Sequence, residues 1–337
     1  MGGTELTAAR VAEMLAAHHE LYVLQHCRND SVCSVNGVRY ESGGSWRTVA
    51  VNRDFDIVII INSFKLLALW RRHARAGTRL ILWRHNFIGA THKHAADLLT
   101  NIDAFLVCVS EYHKRHSLNV LGVSASSPVA DRLRAIYNPV VTVEDEASDD
   151  ASAKVDVNQL LFASSPHKGL PQVVENFSKL KARIPELKLL VCNPGYLERP
   201  LPDCPGVQYT GKLRPAQVHA LMRRSLCLFN AQSTFAETFG LVFAESQRMG
   251  TPVVAQRGLG AVDEVVGHDY GQALDVDDED QVYASVMRWR SMRPQLSLNP
   301  AFAAQVICRQ WLELLTESMK SHYLHNHEPG RITHDLS

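Results

Sequence analysis

The feature that most constrains this chain is an alternation. Short aliphatic or β-branched runs are separated by segments of helical periodicity along most of its length. That order is the pattern of repeated strand–helix–strand units, whose crossover helices cover both faces of a parallel sheet. In the first half, residues 21–24, 57–61, 79–83 and 104–109 read as buried strands, and 7–17, 64–76 and 90–101 as helices. The stretch VEDEASDDASAKVDV, residues 143–157, is acidic, poor in large apolar side chains and without periodicity, so it reads as a linker. Beyond it, strands are expected at 159–163, 187–192, 226–230 and 252–255, and helices at 170–182, 215–224 and 240–249. The fold class is therefore α/β, with one domain over residues 1–142 and a similar one over 158–299. A last helix at 300–322, carrying Phe302, Val306, Ile307, Trp311, Leu314 and Leu315, is expected to cross back to the first domain, and 323–337 to fray.

A chain of 337 residues has length enough for two such cores. Its 35 Lys and Arg against 35 Asp and Glu give no overall charge directed at nucleic acid. The balance hides an asymmetry: residues 1–141 hold 16 basic against 11 acidic side chains. Arg71, Arg72, Arg75, Arg79 and Arg84 gather around Trp70, which leaves open either a solvated helix or peripheral contact with an anionic lipid surface. Seven cysteines without a CxxC pair, and an N-terminus without an apolar leader core, lead us to expect reduced thiols and a cytoplasmic protein. The longest apolar run, residues 55–70, is interrupted by Asn62 and Lys65 and is too short to span a bilayer.

Chemistry is expected where strands end and helices begin, because amide N–H groups and the helix dipole there favour anions. In FASSPHKGL, residues 162–170, Ser164 and Ser165 form the turn and Lys168 stands at the helix start. Lys168 is either an exposed loop lysine or the cation of a diphosphate site. In AETFGLVFAESQRMGTP, residues 236–252, Thr238, Phe239, Gly240 and Leu241 would offer amides to phosphate, with Gly240 allowing close approach. Glu237 and Glu245 flank them, eight positions apart. Carboxylates accept hydrogen bonds from hydroxyls, so Glu237 could hold a sugar and Glu245 a ribose. The alternatives are that Glu237 complements the helix dipole and Glu245 is solvated. His92 and His94 fit a solvated helix face better than a metal site.

The E-x7-E spacing from Glu237 to Glu245, followed by Gly250-Thr251-Pro252-Val253-Val254, resembles the donor-site signature of glycosyltransferase family 4. The resemblance extends to GTPVVAQRGLGAVDEVVG with Glu264, to YTGKL (209–213), AIYNPV (135–140), VCVSEYHKRHSL (107–118) and GGTELTAARVAEMLAAHHELYVL (2–24). It implies GT-B architecture, with two Rossmann-like domains facing across a cleft, and transfer with retention from a nucleotide-diphosphate sugar to a glycan, lipid-linked or small-molecule hydroxyl. It implies no metal and no cofactor. Glu237, Lys168 and His85 would be the catalytic residues. Gly2 and Gly3 would approach donor phosphate and acceptor, and Gly211, Lys212 and Leu213 would contact the nucleobase. Glu237 would lie exposed in the cleft.

Two departures stand out. The family has a strand before the Gly2-Gly3 loop, so either the true start lies upstream of Met1 or the first sheet lacks that strand, and no arginine precedes Lys168 in its turn. The alternatives are a GT-B sugar-nucleotide epimerase, a weakened sugar-nucleotide-binding homologue, or a two-lobed sugar-binding protein.

Overall fold

The computed structural model describes residues 2–26, 28–29, 32–75, 77–92, 94–141, 154–192 and 203–326. The chain divides into two compact units, and each crosses the sequence more than once. One contains Thr4–Val109, Lys114–Ile136 and Gln305–Ser337; the other contains Met1–Gly3, Ser110–His113 and Tyr137–Ala304.

The N-terminal unit opens with α1 (Gly3–Leu15) and a three-stranded sheet of β1 (Leu21–Gln25), β2 (Cys33–Val35) and β3 (Val38–Ser42), in the order β1-β3-β2. β1 and β3 are parallel, whereas β2 and β3 form an antiparallel hairpin across Asn36-Gly37. Both turn residues have positive φ (49° and 79°), as the two-residue turns that match strand twist require. After α2 (Trp46–Asn52) comes a four-stranded parallel sheet of β4 (Ile57–Ile61), β5 (Arg79–Trp83), β6 (Phe105–Cys108) and β7 (Leu133–Ala135), in that order. Between its strands run α3 (Phe64–His73), α4 (Ala95–Asn101) and α5 (Glu111–Leu121). β6 is buried along its whole length and β5 from Leu80 to Trp83. β1 and most of β4 are only half-buried, which corrects the expectation of uniformly buried strands. Both lie at a sheet edge, where one flank has no neighbouring strand among the described residues.

The C-terminal unit is built on a six-stranded parallel sheet. Its elements are β8 (Asp156–Ala163), α6 (Leu170–Arg183), β9 (Lys188–Cys192), β10 (Val207–Gly211), α7 (Pro215–Arg224), β11 (Ser225–Asn230), α8 (Leu241–Arg248), β12 (Val253–Gln256), α9 (Val262–Val266), β13 (Ala273–Leu274) and α10 (Glu279–Ser291). The strand order β10-β9-β8-β11-β12-β13 puts β8 and β11 at its centre, with Leu160 opposite Cys227 and Leu161 opposite Leu228. Phe162, Phe177, Leu180, Phe229 and Trp289 fill one core against the sheet.

Two segment boundaries differ from the sequence reading. The acidic stretch ends before 157, because Asp156 and Val157 already belong to β8; residues 142–153 lie outside the described residues. The last helix, α11, spans Ala304–Asn326 after a separate turn at Pro300–Phe302, since Asn299 caps that turn through the Ala301 amide. Its last four residues, 323–326, fall within the expected tail, and residues 327–337 lie outside the described residues. Within the N-terminal unit the Trp311 ring meets Trp83 edge-on at 4.8 Å, and Cys308 Sγ lies 3.7 Å from the Met14 carbonyl.

Phe177 sits fully buried where α6 packs on the sheet. Phe177→Ala is expected to cost about 3–5 kcal/mol, measured by urea unfolding of the whole chain.

Candidate active site

The parallel pairing of β8 with β11 brings two loops out side by side at the carboxyl ends of neighbouring strands, where open α/β sheets bind ligands. The first loop runs from Ser164 to Gly169. The Lys168 amide donates to the Ser165 carbonyl (2.9 Å), closing a turn ahead of α6. Gly169 takes a left-handed conformation (φ 85°), and a side chain there would meet Gln232 of the second loop at 2.6 Å. Ser165 is buried and its hydroxyl lies 2.9 Å from His167 Nδ1, while Ser164 is half-buried.

The second loop, between β11 and α8, is shaped by a residue the sequence reading missed. The buried Gln232 accepts from the Thr234 and Phe235 amides (2.8 and 2.7 Å) and donates to the Phe235 carbonyl (2.9 Å). Its position just past an apolar strand was its only signal. The Glu237 backbone is held by the Ala261 amide, which donates to its carbonyl at 3.0 Å. The Phe239 ring is buried, 6.0 Å from Tyr137 and 5.1 Å from Phe302, so it anchors the loop. Gly240 caps α8 with φ 82°, and a side chain on it would come within 2.5 Å of Phe243. The Phe243 amide already donates to the Gly240 carbonyl (2.9 Å), so it is the amides of Leu241 and Val242 ahead of it that lie beyond the reach of an intrahelical acceptor and make that end suit an anion.

Lys168 and Glu237 meet where the loops meet. Lys168 Nζ lies 2.7 Å from a Glu237 carboxylate oxygen, with the two side chains 26% and 17% exposed. The expectation of an exposed Glu237 is corrected: its carboxylate is drawn in by the ammonium. The Lys168 ammonium also stands 5.2 Å from the Phe235 ring centroid, a geometry that favours a cation. Glu245, further along α8, is 15% exposed and 3.8 Å from His219 Nε2 of α7. Gly3 lies against Leu241, with 3.9 Å from its would-be Cβ to the leucine methyl, and Gly2 and Gly3 group with this unit. Gly211 is the last residue of β10, two strands from β8, and Lys212 and Leu213 follow it; Gly211 and Lys212 are exposed.

Glu264 plays a part that its motif did not suggest. Its two carboxylate oxygens accept from the amides of Glu111 and Tyr112 (both 2.8 Å), the first turn of α5, and one also accepts from the Tyr137 hydroxyl (2.6 Å). Ser110 beside it donates to the Thr238 carbonyl at 2.5 Å.

His85 belongs to the N-terminal unit. It is 7% exposed, its ring packs 4.6 Å from Trp83, and its amide donates to Asn62 Oδ1 (2.7 Å). Of the five arginines around Trp70, Arg72 is exposed, and the other four are engaged by protein groups. Arg71 donates to the carbonyls of Thr78, Ala74 and Arg75. Arg75 pairs with Asp54 and Arg79 with Asp103. Arg84 is buried against the Asn62 and Phe87 carbonyls, and that burial holds its pKa below the usual value. Burial alone would raise the Asp103 pKa, but Arg132 and Arg79 outweigh it and hold the carboxyl below its ordinary range. Among the described residues, no helix is long and apolar enough to cross a membrane, and no three His, Cys, Asp or Glu side chains gather as metal ligands.

Gly240→Ala is expected to lower stability by about 1–3 kcal/mol, visible as a reduced Tm, because both its φ and the Phe243 ring oppose a side chain.

Residues 145–297 match the family model described as glycosyl transferases group 1. A stretch of 127 residues is 31% identical to a phosphatidyl-myo-inositol mannosyltransferase of Mycolicibacterium smegmatis, over 36% of this chain and 32% of that protein. The chain is thus matched to about a third of that relative's length. Among solved structures, a glycosyltransferase from Rickettsia africae aligns at TM-score 0.64 and 16% identity, over 95% of this chain and 96% of the other. A UDP-N-acetylglucosamine 2-epimerase from Rickettsia bellii aligns at TM-score 0.61 and 12% identity, over 97% and 96%. The chain has the α/β fold of the GT-B glycosyltransferases, built from Rossmann-like parallel sheets, and its second half carries the group 1 match.

Proposed function

We propose that the protein is a retaining, metal-independent glycosyltransferase of family 4 that moves a sugar from a nucleotide-diphosphate sugar to an acceptor hydroxyl. The observation that carries this reading is the meeting of Lys168 and Glu237 at the ends of two adjacent parallel strands, with α8 beginning four residues after Glu237. The group 1 match over residues 145–297 covers all three and supports it.

In the proposed reaction the bond from the anomeric carbon to the β-phosphate oxygen breaks, and a bond to the acceptor oxygen forms on the same face. The departing phosphate takes the acceptor's proton. Negative charge accumulates on the leaving diphosphate, and fixed donors stabilise such charge without reorganising. Lys168 and the amides from Phe239 to Leu241, which lead into α8, supply them, with Gly2 and Gly3 beside them. Glu237 holds sugar hydroxyls, Glu245 the ribose, and Gly211, Lys212 and Leu213 border the base. His85 is assigned to the acceptor by family resemblance, and its backbone anchor on Asn62 fixes where its ring begins.

A GT-B epimerase is the second reading, favoured by the fold shared with the Rickettsia bellii enzyme. Incubation with UDP-, GDP- and ADP-sugars, read by released nucleoside diphosphate and by NMR of the remaining donor, separates the two. Transfer releases the nucleotide in the presence of acceptor, whereas epimerisation changes the donor sugar. Neither signal with any donor contradicts both readings. Glu237→Ala is expected to lower transfer by at least about 100-fold, the usual worth of an oriented polar contact at the reacting centre, while stability falls by no more than about 2 kcal/mol.

A further inference from the structure

We propose that Glu237 is a displaceable counter-ion of Lys168, so that a diphosphate enters the site only by taking the ammonium from the carboxylate. This inference rests on the donor-site reading above and concerns how that site tells a sugar nucleotide from the bare nucleoside diphosphate.

The geometry carries it. The 2.7 Å contact joins two side chains that are mostly shielded from water, where attraction between charges is less screened than at a surface. The turn before Lys168 contributes Ser164 and Ser165, and serines bring no further charge, so Glu237 cancels the positive charge that the turn presents. A diphosphate arriving at Lys168 meets that carboxylate within one hydrogen bond of its own target, and like charges that close repel.

Displacement needs only a side-chain rotation. The Glu237 backbone is tied to Ala261, and the Lys168 ammonium keeps its seat over the Phe235 ring when the carboxylate leaves. What differs between ligands is where the carboxylate goes next. With a sugar nucleotide, it leaves the ammonium for sugar hydroxyls, which replace the hydrogen bond it gives up. With the bare nucleoside diphosphate, no hydroxyls are there to receive it, and it competes with the phosphate for Lys168. Glu237 therefore weakens the hold on the nucleotide product while strengthening the hold on the sugar nucleotide. That difference drives product out after transfer.

The two possible roles of Glu237 make opposite predictions for the bare nucleotide. Isothermal titration of UDP, GDP and ADP into the full chain identifies the one that binds tightest, which is then titrated into Glu237→Gln, Lys168→Gln and the double variant. Glu237→Gln keeps the shape and removes the charge. We expect it to bind the nucleoside diphosphate about tenfold tighter than wild type, a difference of about 1.4 kcal/mol, while its affinity for the matching sugar nucleotide does not rise. Removing Lys168 first should abolish the gain, so the double variant binds no tighter than Lys168→Gln alone. Glu237→Asp, one methylene shorter, should lie between wild type and Glu237→Gln, and it serves if the latter does not fold. Unchanged or weaker nucleotide binding by Glu237→Gln overturns the inference, as does a gain that persists without Lys168. Failure of wild type to bind any of the three nucleotides overturns the donor-site reading, and the inference with it.

Discussion

The pairing of β8 with β11 is the constraint on which the rest of the candidate site depends. The two strands are far apart in sequence, yet they lie hydrogen-bonded at the centre of a six-stranded sheet, covered by apolar side chains. Parallel neighbours discharge their loops at the same end, so a turn ending in Lys168 and a loop holding Glu237 emerge together. β11 is buried along its whole length and β8 from Leu160 to Phe162, so a register slip would put misfitting side chains into close-packed surroundings on both faces of the sheet. The polar site is therefore positioned by hydrophobic packing beneath it.

Above that frame, backbone geometry determines where the charges stand. Gly169 lets the first loop pass close to Gln232, and Gln232 in turn folds the second loop on itself. Phe239 and its aromatic neighbours pin the far side, and Gly240 makes the sharp entry into α8. These contacts leave Lys168 and Glu237 little choice but to meet. A carboxylate at the start of a helix looked like a simple complement to the dipole. In the structure it has a lysine partner 69 residues earlier in the chain, and that changes what it does to an incoming anion.

Much of the fold was legible in the sequence, because the periods of buried strands and amphipathic helices are local properties of the chain. Most helices and strands of the C-terminal unit lie where their apolar patterns place them, within a few residues. The β2–β3 hairpin was missed although Asn36-Gly37 is a strong local signal, because its short strands carry few apolar residues. The half-exposed edges β1 and β4 could not be told from central strands, since strand order is a tertiary property. The same limit applies at the site. The spacing from Glu237 to Glu245 was visible, but not the Lys168 pairing, the buried Gln232, or the attachment of Glu264 to the first turn of α5. Arg71, Arg75, Arg79 and Arg84 looked like a basic surface because sequence shows charges without their partners. Carbonyls and carboxylates of the folded chain, both nearby and from other segments, already pair with them.

The most direct measurement is a crystal structure of the protein soaked with the nucleoside diphosphate that it binds best. The account predicts phosphate oxygens within hydrogen-bond distance of Lys168 Nζ and of the amides between Phe239 and Leu241, with the Glu237 carboxylate moved off the ammonium. A nucleotide bound elsewhere, with the Lys168–Glu237 pair intact at 2.7 Å, would contradict it.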